Sequence, residues 1–375
     1  MQRLFLACLC AAVGSNAIFS SPQTRAAEPE TYQQMVDRAI NYLKVKGQQE
    51  NGAYEEHGVG ITALVTTAVM SHGRTTQDPL VARSLKYIEN HIQPDGGIYS
   101  QGSTHRNYET VLSVLCLDKA NKNGKYDEQI ARADKFLKGI QWDSGENDEI
   151  DKSHEWYGGA GYGSHKRPDL SNTSFLIEAL KAAGNDADDE AMQAALTFVS
   201  RCQNLESQHN QTKYASKVND GGFYYTIAAG GSSQAGATED GGLRSYASMT
   251  YAGLKSMIYA GVDKDDPRVK AAVSWIQKHY NLDENVGMAT DNEQMRTAGL
   301  YYYYHTFAKA LAATGMDEVE TADGKIHDWR AELVGELAER QQADGSWVNT
   351  QNQRWREGDA NLVTGYALLA LAYCK

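Results

Sequence analysis

The chain has 375 residues, 41% of them hydrophobic and 22% charged, enough for a large buried core. Six prolines and 34 glycines exclude a collagen-like or proline-rich chain, and a net charge of −12 speaks against a broad nucleic-acid surface. A mean hydropathy of −0.55 excludes a polytopic membrane protein.

Residues 1–27 read as a signal peptide. Arg3 supplies a basic start, and Leu4 to Val13 is an apolar run far shorter than the roughly 20 residues that span a bilayer. Ser15-Asn16-Ala17 offers a small-residue cleavage site, and a second lies near Ala27. The protein is therefore expected to be exported, periplasmic or secreted, with residues 28–375 as a single domain. Cys116, Cys202 and Cys374 remain in that domain. Three is odd and sparse, so these are expected as small buried residues and not as a disulfide scaffold. The 22 tyrosines against 7 phenylalanines point to aromatic surfaces that also meet water, as in a wet cavity.

The first predicted helix runs from Tyr32 to Leu43. Five further segments of the same look open on Asp78, Asp127, Asp189, Asp266 and Asp328. Each aspartate reads as an N-cap, and Pro79 and Pro267 fall at the first helical position, where no N–H is needed. A turn and a second, more apolar helix follow each segment. Aligned by their ends, the second helices place Ala68, Cys116, Ala179, Gly253, Ala310 and Ala370 in one small-residue column. Six positions earlier stand Thr62, Thr110, Thr173, Ala247, Tyr304 and Thr364. Small residues in register imply close approach of helices. The turns between the helices carry Asn51-Gly52, Asp95-Gly96, Asp220-Gly221 and Asp344-Gly345, each followed by an aromatic residue. Glycine makes the tight reversal because it adopts positive φ freely. Six helix pairs give twelve helices, stacked as an open solenoid or closed as a ring. The long loops 143–169 and 204–243 suit functional loops over one face.

These Q-x-D-G-x-W/Y turns with paired helices resemble the prenyltransferase/squalene-oxidase repeat, the family of squalene–hopene cyclases and protein prenyltransferase β subunits. The resemblance implies an all-α fold, an α/α toroid of six helix-pair repeats with an inner ring of helices inside an outer one. It also implies the cyclases' Asp-x-Asp-Asp acid or the prenyltransferases' zinc site. Asp263 to Asp266 fits the first pattern, but so does Asp186 to Asp189, and both end on an N-cap aspartate. Both are read as caps. Tyr304-His305-Thr306 matches the surroundings of the zinc histidine, yet Cys116, Cys202 and Cys374 each lack the aspartate two residues before. No zinc and no cofactor is expected.

In such a ring, ligands meet the starts of the inner helices. There stand His57, then Asn107 and Glu109, then Asp169 and Asn172. Tyr246 follows, then Tyr303 and His305, and finally Asp359 and Asn361. Asp169 and Asp359 also suit N-caps, and His305 equally suits a core histidine. Trp156 and Tyr157 open a glycine-aromatic loop through Gly163, read either as a lid or as a loop packed on the ring. No catalytic residue is assigned. The sequence favours an exported squalene-cyclase-like toroid with a cavity for an apolar or mixed ligand. Two alternatives stay open: a non-catalytic toroid binding a small molecule, peptide or glycan, and a carboxylate-pair polysaccharide hydrolase or lyase. Neither nucleic acid nor a membrane span is expected.

Overall fold

The computed structural model describes residues 31–56, 58–144, 150–163 and 167–375; the segment read as a signal peptide and His57 lie outside these. The first helix pair is α1 (Tyr32–Tyr42) and α2 (Gly60–Ser71). Next come α3 (Pro79–Glu89) with α4 (Arg106–Ala120), and α5 (Asp127–Lys138) with α6 (Leu170–Ala182). Helix α7 (Glu190–Arg201), the single turn α8 (Ala215–Val218) and α9 (Ala247–Tyr259) form the fourth repeat. The last two are α10 (Pro267–His279) with α11 (Leu300–Thr314), and α12 (Trp329–Arg340) with α13 (Ala360–Leu371). A two-residue hairpin, β1 (Val319–Glu320) against β2 (Ile326–His327), joins α11 to α12.

Each inner helix, in the order α2, α4, α6, α9, α11, α13, packs on the next, and α13 packs back on α2. The ring is closed. The fold is an α/α toroid, and the open solenoid is excluded. The two kinds of helix differ as their positions require. Outer α3 buries Leu80, Val81, Ser84, Leu85 and Ile88, which is one stripe. Inner α2 buries every residue from Gly60 to Thr66, because it is enclosed by α4, α13 and α3. The small-residue column is buried in the ring, with Ala68, Cys116, Ala179, Ala310 and Ala370 all at 0% exposure.

The aspartate caps are present at Asp78, Asp189, Asp266 and Asp328, each accepting a backbone N–H of the first helical turn. Asp127 differs. It is the first helical residue, Tyr126 stands at the cap, and the Asp127 carboxylate instead accepts from Asn121 Nδ2 at 2.7 Å. Asp265 is exposed and paired to Lys270, so the Asp263 to Asp266 segment is a capped surface turn with no route to the cavity.

One hydrogen bond recurs around the ring. The threonine of an inner helix accepts the backbone N–H that follows the turn glycines: Thr62 from Tyr54, Thr110 from Ile98, Thr173 from Ala160 and Thr364 from Trp347, all at 3.0 Å. In α9 the partner is Thr250, from Phe223 at 3.1 Å. The threonine column therefore runs through Thr250, and the alignment on Ala247 and Gly253 is three residues early. Positions three apart share a helix face, so Gly253 mimics the small residue that Ser256 supplies in register.

The same bond corrects the reading of the glycine-aromatic loop. Trp142 N–H donates to Gly159 at 2.9 Å, Gly158 N–H returns to Trp142, and Ala160 N–H reaches Thr173. Gly158 and Gly159 are thus the third repeat's turn glycines, separated from Gln141-Trp142 by an inserted stretch. Gly158 has φ +81°, and a Cβ there would lie 1.7 Å from the Ala194 carbonyl oxygen of the next outer helix. That requirement explains the glycine without invoking a lid.

Candidate active site

The N-terminal ends of the inner helices open on a cavity of about 400 Å³ in the middle of the ring. Its floor is apolar: Ile61 of α2, Phe175 of α6, Met249 of α9 and Leu362 of α13. Its walls are tyrosines. Tyr108 and Tyr366 face each other with hydroxyls 3.3 Å apart, and Tyr302 shares a hydrogen bond with Ser171 at 2.9 Å. Tyr162, Tyr225 and Tyr246 complete the aromatic wall. Burial pushes Tyr108 up to about 12 and also raises Tyr302, Tyr366, Tyr225 and Tyr246, so these hydroxyls stay protonated. Six of the 22 tyrosines line this cavity, so ring faces and hydroxyl donors share one wall.

Three carboxylates, Glu55, Glu109 and Glu357, enter the same cavity. Glu55 precedes α2 and accepts the Ile61 N–H at 2.7 Å, with Arg356 at 3.4 Å from its other oxygen. Burial pushes Glu55 up; the Ile61 N–H and Arg356 pull the other way, and the charge of Glu109 adds to the rise. Glu109, in the first turn of α4, accepts the Ser100 N–H at 2.8 Å and the Ser103 hydroxyl. Glu357 accepts the N–H groups of Tyr301 and Tyr302, both at 2.9 Å, and Asn349 Nδ2 at 2.7 Å. Burial raises it to about 7. Each acid thus sits against backbone N–H groups, in part because helix N-termini attract anions. Glu357 has three donors, two on one oxygen and one on the other. Glu55 and Glu109 each have two donors.

The residues singled out from sequence divide clearly. Glu109 and Tyr246 line the cavity. Asp169 caps α6 one layer behind it, accepting Asn172 N–H at 2.9 Å and Asn172 Nδ2 at 2.8 Å, and holds the cavity-lining Tyr225 through its hydroxyl. Burial pushes Asp169 up to about 6. Asn107 anchors the third turn by donating to Gly161 at 2.8 Å. Asp359 caps α13 and pairs with Arg356, while Asn361 donates to Tyr54 O at 3.0 Å. Asp169, Asn172, Asn107, Asp359 and Asn361 thus support the wall without lining it. Tyr303 points outward, its hydroxyl on Asn281 O at 2.5 Å among Tyr251 and Phe307. His305 lies below the floor, stacked on Tyr366 and beside the buried Glu178, and burial pushes it down to about 3. Trp156 and Tyr157 lie in the inserted stretch, with Trp156 edge-on to Trp142 at 4.9 Å. None of these last four reaches the cavity. Among the described residues, no group of three or more His, Cys, Asp or Glu could hold a metal ion.

Glu55, Tyr302, Trp355, Arg356, Glu357 and Tyr366 were not among those residues, and each lines the cavity. Glu55 and Glu357 stand just ahead of inner helices, two residues before His57 and Asp359. That shared position was the available signal.

A closed α/α toroid with a central, carboxylate-rimmed cavity defines the class of protein. Residues 56–228 match the model of the squalene-hopene cyclase C-terminal domain, so the chain is similar to the prenyltransferase/squalene-oxidase repeat family, as its turns indicate. No curated protein matches. Among solved structures, the type II terpene cyclase MstE from Scytonema, in complex with geranylgeranyl dihydroxybenzoate, is similar at 12% identity and a TM-score of 0.52. That match covers 92% of this chain and 97% of the cyclase. A polysaccharide lyase is similar at 11% identity and a TM-score of 0.51, over 91% and 96% of the two chains. At such identities the likeness establishes the fold alone. Among the described residues, no helix is long and apolar enough to cross a membrane.

Proposed function

We propose that residues 28–375 form a single exported enzyme domain that cleaves a neutral glycan. Glu55 and Glu109 are its working carboxylates. The observation that supports this reading is their placement: two acids from adjacent repeats share one tyrosine-lined cavity, and Glu55 is raised by burial and by the charge of Glu109. A carboxyl with raised pKa suits protonation of a leaving glycosidic oxygen, and the second carboxylate serves as base or nucleophile. Glu357, held by three N–H donors, positions the start of α11. The tyrosines offer rings to sugar faces and hydroxyls to sugar edges. Among the described lining residues three acids face Arg356 and His105. That balance disfavours an anionic ligand, whether a uronate-rich chain or an isoprenoid diphosphate.

A second reading is an isoprenoid cyclase, favoured by the family match over residues 56–228 and by the apolar floor. Alkene protonation demands a strong acid, whereas burial makes Glu55 and Glu357 weaker acids. The toroid houses both chemistries, so the fold does not choose between them. Incubating the protein with neutral polysaccharides and, separately, with squalene and geranylgeranyl dihydroxybenzoate separates the two. New reducing ends are expected from one or more of the polysaccharides. A cyclised isoprenoid with no glycan cleavage would overturn the proposal in favour of the second reading.

A further inference from the structure

Resting on the glycan reading, we infer that Trp355 is a stacking platform for a sugar ring at the cavity mouth, outside the ring being cleaved. Trp355 lines the cavity and is 43% exposed, unusual for so large an apolar side chain. Its backbone has φ +55° and that of Arg356 has φ +65°, so two consecutive residues other than glycine hold the left-handed conformation. Strain of this kind persists where surrounding contacts impose it, and it clusters at ligand sites.

The contacts that impose it are on both sides. Arg354 reaches across the mouth to Gln234 at 3.3 Å, and Arg356 reaches the other way to Glu55 at 3.4 Å and Asp359 at 3.0 Å. Asn352 Nδ2 ties the same strap to Gln294 O at 2.8 Å. The indole lies on Gly299, where a Cβ would sit 3.2 Å from its ring. The exposed tryptophan is therefore held in place by a braced strap. Its surroundings identify the occupant. A pyranose presents an apolar C–H face to an aromatic ring and hydroxyls at its edges; Arg356 and Gln234 line the same cavity as the indole, and the Arg354 guanidinium lies over one part of its ring, 4.9 Å from the centroid.

The test titrates wild type, Trp355→Ala and Trp355→Phe with the neutral oligosaccharides of the cleaved polysaccharide, from two to six sugars. Binding is read by calorimetry and by tryptophan fluorescence. Expected are a fluorescence change in wild type and, in Trp355→Ala, roughly tenfold weaker binding of the longer oligomers with under about twofold change for the disaccharide. Trp355→Phe should restore most of the loss. Trp355→Gly, which relieves the left-handed strain, should melt no lower than wild type while binding as poorly as the alanine variant. Length-independent binding equal to wild type in Trp355→Ala would overturn the platform and leave the glycan reading standing. Wild-type protein that binds no neutral glycan would overturn both.

Discussion

Gln341 Nε2 donates to the carbonyl of Met35 at 2.9 Å, joining the last outer helix to the first across 306 residues. The same side chain holds the Gly345 carbonyl of its own turn at 2.9 Å. Gln48 does this to Leu80, Gln141 to Gly158 and Ala191, and Gln203 to Gly221 and Arg268. One glutamine at the end of an outer helix therefore ties that helix to the next, and the outer ring closes by the bond that propagates it. Replacing Gln341 by Ala leaves two carbonyls short of a donor and should lower stability by about 1–3 kcal/mol in urea denaturation. Gln342→Ala, whose amide reaches the nearby Arg340 carbonyl at 3.3 Å, should cost less than about 0.5 kcal/mol. Equal effects would remove the glutamine tie as a source of stability.

The turn glycines give a matched comparison. Gly345 has φ +92°, and a Cβ there would lie 2.5 Å from the Arg38 carbonyl oxygen of α1. Gly73 has φ +85° with nothing within 4 Å. Gly73→Ala should cost about 1 kcal/mol, the conformational penalty alone. Gly345→Ala adds a backbone clash and should cost about 2 kcal/mol more, read from urea midpoints. A Gly345→Ala variant as stable as Gly73→Ala would show that the two outer helices are not pressed together at this point.

Two buried acids make stability depend on pH. Burial raises Glu357 to about 7 and Asp169 to about 6. Between about pH 4 and these values the native protein keeps protons that the unfolded chain has released. The share of stability that these two acids contribute should therefore fall as pH rises from about 4 to about 7, while buried His305 and His72, held down at about 3 and about 4, act in the opposite sense over the same window. Glu357→Gln should flatten the upper part of that fall and Asp169→Asn the lower part. Urea midpoints of wild type and both variants measured from pH 4 to 8 check both; a difference between variant and wild type that stays constant through this window would contradict the assignment.

Beneath the floor lies a buried charge cluster. Lys255 and Lys309 both donate to Glu178, with the three side chains 2%, 13% and 1% exposed. Burial pushes Glu178 up, but the two ammonium groups outweigh it and hold the acid down at about 2. Glu178→Gln strands two buried cations and should cost about 3–5 kcal/mol. Lys255→Met in the same background removes one stranded charge and should recover part of that loss. A thermal melt decides: if the second substitution lowers Tm further, the cations are not what destabilises the single variant.

The repeats were legible because helix caps, turn glycines and a small-residue column recur by chemistry that each copy needs. Short loops and six copies allowed an open solenoid or a closed ring; the family resemblance implied the ring, and α13 against α2 supplies it. The third turn was missed because an insertion separates Gln141 from Gly158, so no contiguous motif remains. The cavity was harder to read. Of the four tyrosines from Tyr301 to Tyr304, Tyr302 faces the cavity, and helical rotation of 100° per residue decides that, not residue type. Glu55 and Glu357 come from loops whose course the repeat pattern does not fix. Trp355 reaches the mouth through two left-handed residues that propensity argues against.

Turnover by Glu55→Gln and Glu109→Gln, set beside calorimetric binding of the same neutral oligosaccharide, bears most directly on how the cavity works. Both variants should bind within a few-fold of wild type and lose at least about a hundredfold in kcat. In the wild type kcat should decline as pH rises through the raised pKa of Glu55, and the residual rate of Glu55→Gln should lack that decline. Full turnover by both variants, with the wild-type pH profile intact, would contradict a carboxylate pair at the centre of this toroid.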